Sequence, residues 1–112
     1  MSQLPGVANA TLDDAKITNY LLDPTHPIGA AKAKFFASFG FLKANWPDLK
    51  RALLDHPQAH AVASQTTCSH GEKFEVSCSL TSPDGRNPCV VSVWIIEPSN
   101  PNPRFVTAYA GP

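Results

Sequence analysis

The sequence lacks the features that would carry a protein into a membrane or draw it to nucleic acid by charge. Its 112 residues include nine basic and nine acidic side chains, so no net field attracts RNA or DNA. No stretch approaches the roughly 20 apolar residues of a membrane span, and the N-terminal MSQLPGVANA has no charged-then-apolar signal pattern. We therefore expect a cytoplasmic protein without membrane association, in which any RNA binding depends on a local cluster.

Cysteine is also scarce, with three residues and no C-x-x-C pair, which is typical of reduced thiols. The conceivable zinc ligands are Cys68, His70, Cys78 and Cys89. Their spacing does not match the short loops of structural zinc knuckles, and Cys78 and Cys89 fall in phase with apolar strand residues. We expect no metal site, no cofactor and three free thiols.

The first half of the chain, about residues 11–56, is predicted to be helical. Thr11 begins a capping pattern before apolar residues at helical spacing, which are Leu12, Ala15, Ile17, Tyr20 and Leu21. Residues 29–39 form a second predicted helix with a buried phenylalanine stripe at Phe35, Phe36 and Phe39. Pro47 suits the first turn of a third helix, and Pro57 is expected to follow its end.

The second half, about residues 60–110, changes to a period of two. The predicted strands are 61–68, 73–81, 89–97 and 104–110. A two-residue turn at Asp84-Gly85 would pair Val76 with Val93 and Cys78 with Val91, which gathers apolar residues on one face. The register of the first strand stays ambiguous by one residue. The sequence therefore predicts one α+β domain over residues 1–112, with N-terminal helices packed on one face of a four-stranded antiparallel meander.

This register leaves the reverse face of the sheet open to solvent. It places Glu75 opposite Trp94 and Trp94 opposite Thr107, with Ser77, Ser92 and Tyr109 in the next row. The row beyond Glu75 would hold Lys73, Ile96 and Phe105. The predicted core is Phe35, Phe36, Val76, Val91, Val93 and Ile95. An exposed face that combines a carboxylate, hydroxyls and aromatic rings is a candidate surface for binding or catalysis, because aromatic side chains there can stack on bases.

Four motifs carry a family resemblance, namely YLLDPTHPIGAAKAKFFASFGF, NWPDLKRALLDH, VVSVWIIE and RFVTAYA. In this order they span nearly the whole chain, which resembles the DUF6883 family of small bacterial domains of unknown function. The plan of helices followed by four strands, with a T-A-Y sequence in the last, is similar to toxin nucleases of the barnase–EndoU–colicin–RelE type. That second resemblance is one of fold.

The nuclease resemblance implies roles for specific residues, each with a structural alternative. Metal-independent RNA cleavage needs a base, an acid and cations at the phosphate. Glu75 is the candidate base, or else a solvated strand carboxylate, and His26 is the candidate acid, or else a histidine that caps or packs in its loop. Lys32 and Lys34, beside Gly29, are candidate phosphate ligands or solvated helix lysines. The candidates for orienting phosphate or stacking on a base are Thr107, Tyr109 and Trp94. The structural alternative for Thr107 and Tyr109 is that they are ordinary strand residues.

Two functional interpretations follow. The first is an RNase-like toxin or toxin relative, held in check by a cognate antitoxin or immunity protein. The second is a non-catalytic interaction module that docks another protein on its open sheet face or edge strand. The neutral charge favours the second interpretation, and the chemistry of the open face favours the first.

Overall fold

The computed structural model describes residues 3–111, in which the helices precede a four-stranded sheet. Helix α1 spans Asp14–Lys16 and continues directly as a π-helical turn over Ile17–Leu21. Helix α2 spans Ala30–Ala37 and α3 spans Trp46–Ala59, with 3₁₀ turns at Val7–Asn9 and Lys43–Asn45. The strands are β1 Val62–Cys68, β2 Gly71–Ser79, β3 Cys89–Ile96 and β4 Arg104–Ala110. Within the described residues, no helix has the length and apolarity needed to cross a membrane.

Two helix boundaries differ from the predicted ones. Asp13, rather than Thr11, caps α1, because its side chain accepts a hydrogen bond from the Ala15 N–H at 2.9 Å. Thr11 instead forms an isolated parallel bridge with Arg104 at the outer edge of β4. Helix α3 runs through Pro57 and ends two residues later, whereas the sequence had placed the proline beyond its end. Pro57 lies in the last turn and is buried, where its missing N–H removes a single helical bond.

The sheet is the predicted antiparallel meander, with strand order β1-β2-β3-β4. A tight turn joins β1 to β2, where Cys68 pairs with Gly71. Helices cover one face, on which the main core gathers Phe36, Leu49, Leu53, Phe74, Val76, Trp94 and Phe105. The predicted α+β class is therefore confirmed.

The predicted register between β2 and β3 is wrong by one residue. Val76 pairs with Ser92 and Glu75 pairs with Val93, so Val76 and Val93 lie on opposite faces of the sheet. The reason is the loop at residues 80–88, which is longer and more irregular than a two-residue hairpin. Within it, the Ser82 N–H donates to Asn87 Oδ1 at 3.0 Å, and Asn87 itself adopts a positive φ of 48°. A turn is present one residue earlier than expected, with the Gly85 N–H donating to the Ser82 carbonyl, and it does not set the strand register.

This shift turns β3 over relative to the prediction. Trp94 and Ser92 are fully buried beneath the helices, so their predicted place on the open face is wrong. Phe105 joins them in the core, and Ile96 also packs against that core. Of the predicted core, Phe36 and Val76 are buried beneath the helices, and Phe35 is partly buried against them. The remaining members share the open face with Glu75, and they are Val91, Val93 and Ile95.

The same shift separates two cysteines that were expected to share the apolar face. Cys78 is exposed, and its backbone has a positive φ of 127°, which departs from normal strand geometry. Cys89 is partly buried and lies on the face of Ser77, whose hydroxyl is 3.8 Å from the Cys89 sulfur. The thiols of Cys68, Cys78 and Cys89 are free.

The loop between β2 and β3 docks on the C-terminal end of α2. The Asp84 N–H donates to the Phe39 carbonyl, and the Arg86 guanidinium lies 4.4 Å from the centre of the Phe39 ring. Arg86 also pairs with Asp84 at 2.6 Å and donates to the Ser38 carbonyl. The Asp84-Gly85-Arg86 sequence therefore has a structural role, in which it ties the sheet to the second helix.

Candidate functional site

The open face of the sheet presents side chains in cross-strand rows, which the observed pairing defines. The Glu75 row contains Ser64, Glu75, Val93 and Thr107. The Lys73 row, one strand repeat away, contains Thr66, Lys73, Ile95 and Arg104. A bulge in β4 at Val106 keeps both rows on one face. The prediction that Glu75, Thr107 and Tyr109 share this face is confirmed, although Val93 rather than Trp94 lies between the first two.

Glu75 is the centre of a carboxylate network formed by Ser64, Glu75 and Tyr109. Its Oε1 accepts a hydrogen bond from Ser64 Oγ at 2.7 Å, and its Oε2 accepts one from the Tyr109 hydroxyl at 2.7 Å. These bonds, the Tyr109 bond first, lower the pKa of the Glu75 carboxyl, and the same contact raises the pKa of Tyr109. At neutral pH the network therefore holds an ionised carboxylate fixed between two hydroxyl donors.

A second group of polar side chains, the lysine cluster, contains Tyr20, Lys32 and Thr107. Lys32 Nζ donates to the Tyr20 hydroxyl at 2.6 Å and to Thr107 Oγ1 at 2.8 Å, and the two hydroxyls are 3.0 Å apart. Burial opposes ionisation of Tyr20, but hydrogen bonds from Lys32 and Thr107 and the charge of Lys32 outweigh it and lower the pKa of the phenol. The cluster thus places a cation beside a phenol that loses its proton more readily than usual.

His26 supports this cluster from the loop before α2. Its ring lies edge-on to the Tyr20 ring, with centroids 5.1 Å apart. Its Nδ1 accepts hydrogen bonds from the backbone N–H groups of Ile28 at 3.0 Å and Gly29 at 2.9 Å. Nδ1 is thereby occupied as a hydrogen-bond acceptor. His26 therefore has the capping and packing arrangement of its structural alternative, and it occupies donors that were expected to face a phosphate.

Gly29 sets the distance between Tyr20 and α2. It is buried, and a Cβ added there would collide with the Tyr20 carbonyl oxygen and come within 2.9 Å of the Tyr20 ring. Glycine is needed here because the backbone of α2 approaches Tyr20 closely. The backbone conformation does not require it, since the φ of Gly29 is −81°, which any residue adopts. The absence of a side chain at this position lets Lys32 reach the Tyr20 hydroxyl.

Thr107 connects the lysine cluster to the carboxylate network. It belongs to the Glu75 row, two strands from Glu75, so the two backbones are about 10 Å apart at the usual strand spacing. Val93 forms the floor between them and is only 4% exposed. The Glu75 row therefore has the cation of Lys32 at its Thr107 end, the Glu75 carboxylate two strands away, and the apolar side chain of Val93 between them.

The structure thus brings together five of the seven residues selected from the sequence. Three of these, His26, Lys32 and Thr107, are in or beside the lysine cluster, and Glu75 and Tyr109 are in the carboxylate network. Lys34 is exposed and lines a different surface, a groove of about 700 Å³ between α2 and Leu42. Trp94 is buried in the core and is not available to stack on a base. Sequence analysis missed Tyr20 as a site residue, because its helical spacing predicted only an apolar contact.

The acidic, histidine and cysteine side chains of the described segment do not converge as metal ligands would. Among residues 3–111, no group of three or more of them is placed to hold a metal ion. The side chains on the open face are instead suited to proton transfer and to anion binding.

Comparisons with known proteins agree with this architecture. The model of the family described as Domain of unknown function (DUF6883) matches residues 3–112. No curated protein gives a significant match to the chain. One similar solved structure is a chain of the contact-dependent growth inhibition toxin–immunity protein complex from Klebsiella pneumoniae 342, with a TM-score of 0.71 and 14% identity. The similarity covers 97% of this chain and 99% of that one, and at this identity it shows a common fold.

Proposed function

The chain belongs to the DUF6883 family, and we propose that it is a toxin-like domain that cleaves RNA by metal-independent transesterification. The observation that carries the proposal is the position of Lys32. Its ammonium group is held by the Tyr20 and Thr107 hydroxyls at one end of the row in which Glu75 is an ionised carboxylate. Cleavage of this kind needs a base, an acid and a cation at the phosphate, and these groups supply all three.

Glu75 is the base in this proposal. The 2′-hydroxyl of the substrate displaces the Tyr109 hydroxyl from Glu75 Oε2 and donates its proton to the carboxylate. The Tyr109 hydrogen bond is the first cause of the lowered Glu75 pKa, and the substrate hydroxyl replaces it on the same oxygen, so the carboxylate stays ionised until it takes up the 2′-proton. Tyr109 is then free to donate to a phosphate oxygen. This exchange accounts for a carboxylate that is tightly bonded in the free protein.

Lys32 and Thr107 bind the non-bridging oxygens of the phosphate. The 2′-oxygen attacks phosphorus, the bond to the 5′-oxygen breaks, and the products are a 2′,3′-cyclic phosphate and a free 5′-hydroxyl. Tyr20 donates the proton that the leaving oxygen needs, because its pKa is lowered and Lys32 lies against the phenolate that remains. The proton taken up by Glu75 then passes to the solvent and the Tyr20 phenolate takes one up from the solvent, so the step balances and both side chains return to their starting state.

His26 acts as a positioning residue in this scheme. Its Nδ1 is committed to two backbone donors, so the ring holds the Tyr20 ring and the start of α2 in place. The acid role that the sequence had favoured for His26 passes to Tyr20. Replacing His26 should therefore change the pH profile of cleavage less than replacing Tyr20 does.

The test is cleavage of a labelled single-stranded RNA by the purified protein in the presence of EDTA. We expect Lys32→Gln to lower the rate about 10²–10³-fold, the loss typical of a removed charge-stabilising group. We expect Glu75→Gln to lower it about 10²–10⁴-fold as a lost proton acceptor. Glu72→Gln is the matched control, since Glu72 is also on β2 and accepts hydrogen bonds from Thr67 but lies outside the Glu75 row. Equal activity of Glu75→Gln and Glu72→Gln would contradict the mechanism.

A protein partner is the second part of the proposal. The similar structure is a chain of a toxin–immunity protein complex, which supports a protein partner in a toxin–immunity pair for the present chain. Inducible expression in a bacterial host, scored for growth arrest and RNA decay, tests the toxin role. Growth arrest that persists in the Glu75→Gln variant would argue for toxicity without RNA cleavage.

A non-catalytic interaction module is the alternative, and one surface favours it. The groove beside α2 is lined mainly by apolar residues, which include Leu22, Pro24, Ala33, Phe41 and Leu42. Leu42 is 52% exposed, and Ile28 in the preceding loop is 71% exposed. If wild-type protein leaves RNA intact, this protein-binding function becomes the better account of the fold.

A further inference from the structure

The Lys73 row adds a pair of cations to the open face, beyond the single cation Lys32 at the end of the Glu75 row. Lys73 and Arg104 lie on either side of Ile95, on β2 and β4 respectively. Lys73 is exposed and takes part in no ion pair with any residue of the described 3–111 segment. Arg104 Nε donates to Glu97 Oε1 at 3.1 Å in an exposed pair, which an incoming anion can rearrange.

The two rows are spaced along the strands in a way that suits a polymer of anions. Glu75 is two residues beyond Lys73 on β2, so the rows are about 7 Å apart at the usual rise per residue. This spacing is similar to one nucleotide of an extended backbone. Lys32 and Thr107 are the groups that can bind an anion in the Glu75 row, and Lys73 and Arg104 are those that can bind one in the Lys73 row.

The residues of β3 between these cations are apolar. Val93 is 4% exposed and Ile95 is 8% exposed, although both lie on the face that the helices leave uncovered. Because these two side chains are buried, the groups that the face along β3 presents to a ligand are the flanking side chains of β2 and β4, among which Lys73 and Arg104 are exposed. Single-stranded nucleic acid is bound in part by cations that track its backbone, and Lys73 and Arg104 can make that contribution here.

We propose that the open face along β3 binds two consecutive phosphates of single-stranded RNA. The scissile phosphate lies at Lys32 and Thr107, and its neighbour lies at Lys73 and Arg104. This inference rests on the proposed function and defines its substrate as an internal phosphodiester of a chain at least three nucleotides long. A terminal dinucleotide fills only the first position. Charge selects RNA over a protein segment as the occupant, because a repeated anion matches both cationic positions at once.

The experiment compares cleavage of sequence-randomised dinucleotides with that of sequence-randomised trinucleotides. For wild-type protein we expect kcat/KM to be about threefold to tenfold higher with trinucleotides, since each of the two exposed charge contacts contributes modestly. The double variant Lys73→Gln/Arg104→Gln should cleave dinucleotides at the wild-type rate and lose this gain. With longer RNA, its salt dependence should fall by about 0.7 in slope for each phosphate that the variant no longer binds.

Lys43→Gln is the control, since Lys43 is an exposed lysine in the turn before α3, away from the sheet. It should keep both the trinucleotide gain and the salt slope. Equal wild-type rates on the two substrates, or a gain that survives the double substitution, would overturn the second phosphate position and leave the cleavage mechanism intact. Failure of wild-type protein to cleave either substrate would overturn the proposed function together with this inference.

Discussion

Ser92→Ala should be strongly destabilising, because Ser92 joins two buried polar side chains. Ser92 Oγ accepts a hydrogen bond from Trp94 Nε1 at 2.9 Å and lies 2.8 Å from Nδ1 of His56. The second histidine nitrogen, Nε2, lies 2.8 Å from the Cys78 carbonyl oxygen. In a consistent arrangement, the serine hydroxyl donates to His56, and His56 donates to the carbonyl. Ser92 is completely buried and His56 is 2% exposed, so water cannot replace the missing partner.

The magnitude follows from the two groups that the substitution leaves without partners. An orphaned buried donor or acceptor costs about 1–3 kcal/mol, so the loss should be about 2–4 kcal/mol after partial relaxation. That is a large part of the roughly 5–15 kcal/mol by which small domains are stable. Urea unfolding measures it as a lower midpoint at an unchanged slope.

Ser77→Ala is the matched control, because Ser77 is a sheet serine on the open face whose hydroxyl, within residues 3–111, has a hydrogen-bond contact only with the Cys89 sulfur. It should change the free energy of unfolding by less than about 0.5 kcal/mol. In the register expected from the sequence, Ser77 and Ser92 share the open face, and both substitutions would be nearly neutral. A loss for Ser92→Ala as small as that for Ser77→Ala would therefore refute the observed register.

Three other properties of the protein can be predicted from buried or unpaired groups. Burial lowers the pKa of His56, so the unfolded chain binds more protons than the folded one. The free energy of unfolding should therefore fall as the pH drops below about 6.5. Thermal melts of wild-type protein and His56→Gln over this pH range check it, and the variant should show the flatter pH dependence. Gly29→Ala should destabilise the folded protein by about 1–3 kcal/mol and also slow RNA cleavage, because the added Cβ displaces Tyr20. A variant with a normal melting temperature and a normal cleavage rate would contradict the close packing of Gly29 against Tyr20. A thiol titration of the unfolded protein without reductant should find three free groups, and stoichiometric zinc in the purified protein would contradict the expectation of no metal site.

The fold class was predictable because local signals and burial pattern agreed. The change of period near residue 60 separated the helices from the sheet, and the prolines marked most of the connections. The register of β3 was not predictable from Asp84-Gly85 alone. The loop contains side-chain bonds, such as those between Ser82 and Asn87, and a contact with Phe39 of a distant helix. Such contacts depend on the tertiary structure, and turn chemistry does not reveal them.

The candidate site was partly predictable because two register errors compensated. The register expected from the sequence paired Glu75 with Trp94 and Trp94 with Thr107, whereas in the structure Val93 takes the place of Trp94 in both pairs. The two errors of one residue cancel, so Glu75 and Thr107 were correctly expected in the same row. Only the strand between them was reversed, so Val93 was exchanged for Trp94. Tyr20 escaped notice because its partner Thr107 is 87 residues away in the chain. Its hydroxyl serves the site, while its ring has the helical spacing of a core residue.

Cleavage of matched RNA and DNA strands tests the central claim most directly. The substrates are a labelled single-stranded RNA and the 2′-deoxy strand of the same sequence, incubated with wild-type protein in EDTA. If Glu75 activates a 2′-hydroxyl beside Lys32, the RNA should be cut to products with 2′,3′-cyclic phosphate ends, and the deoxy strand should stay intact. Equal cutting of the two strands, or RNA left whole, would contradict the mechanism.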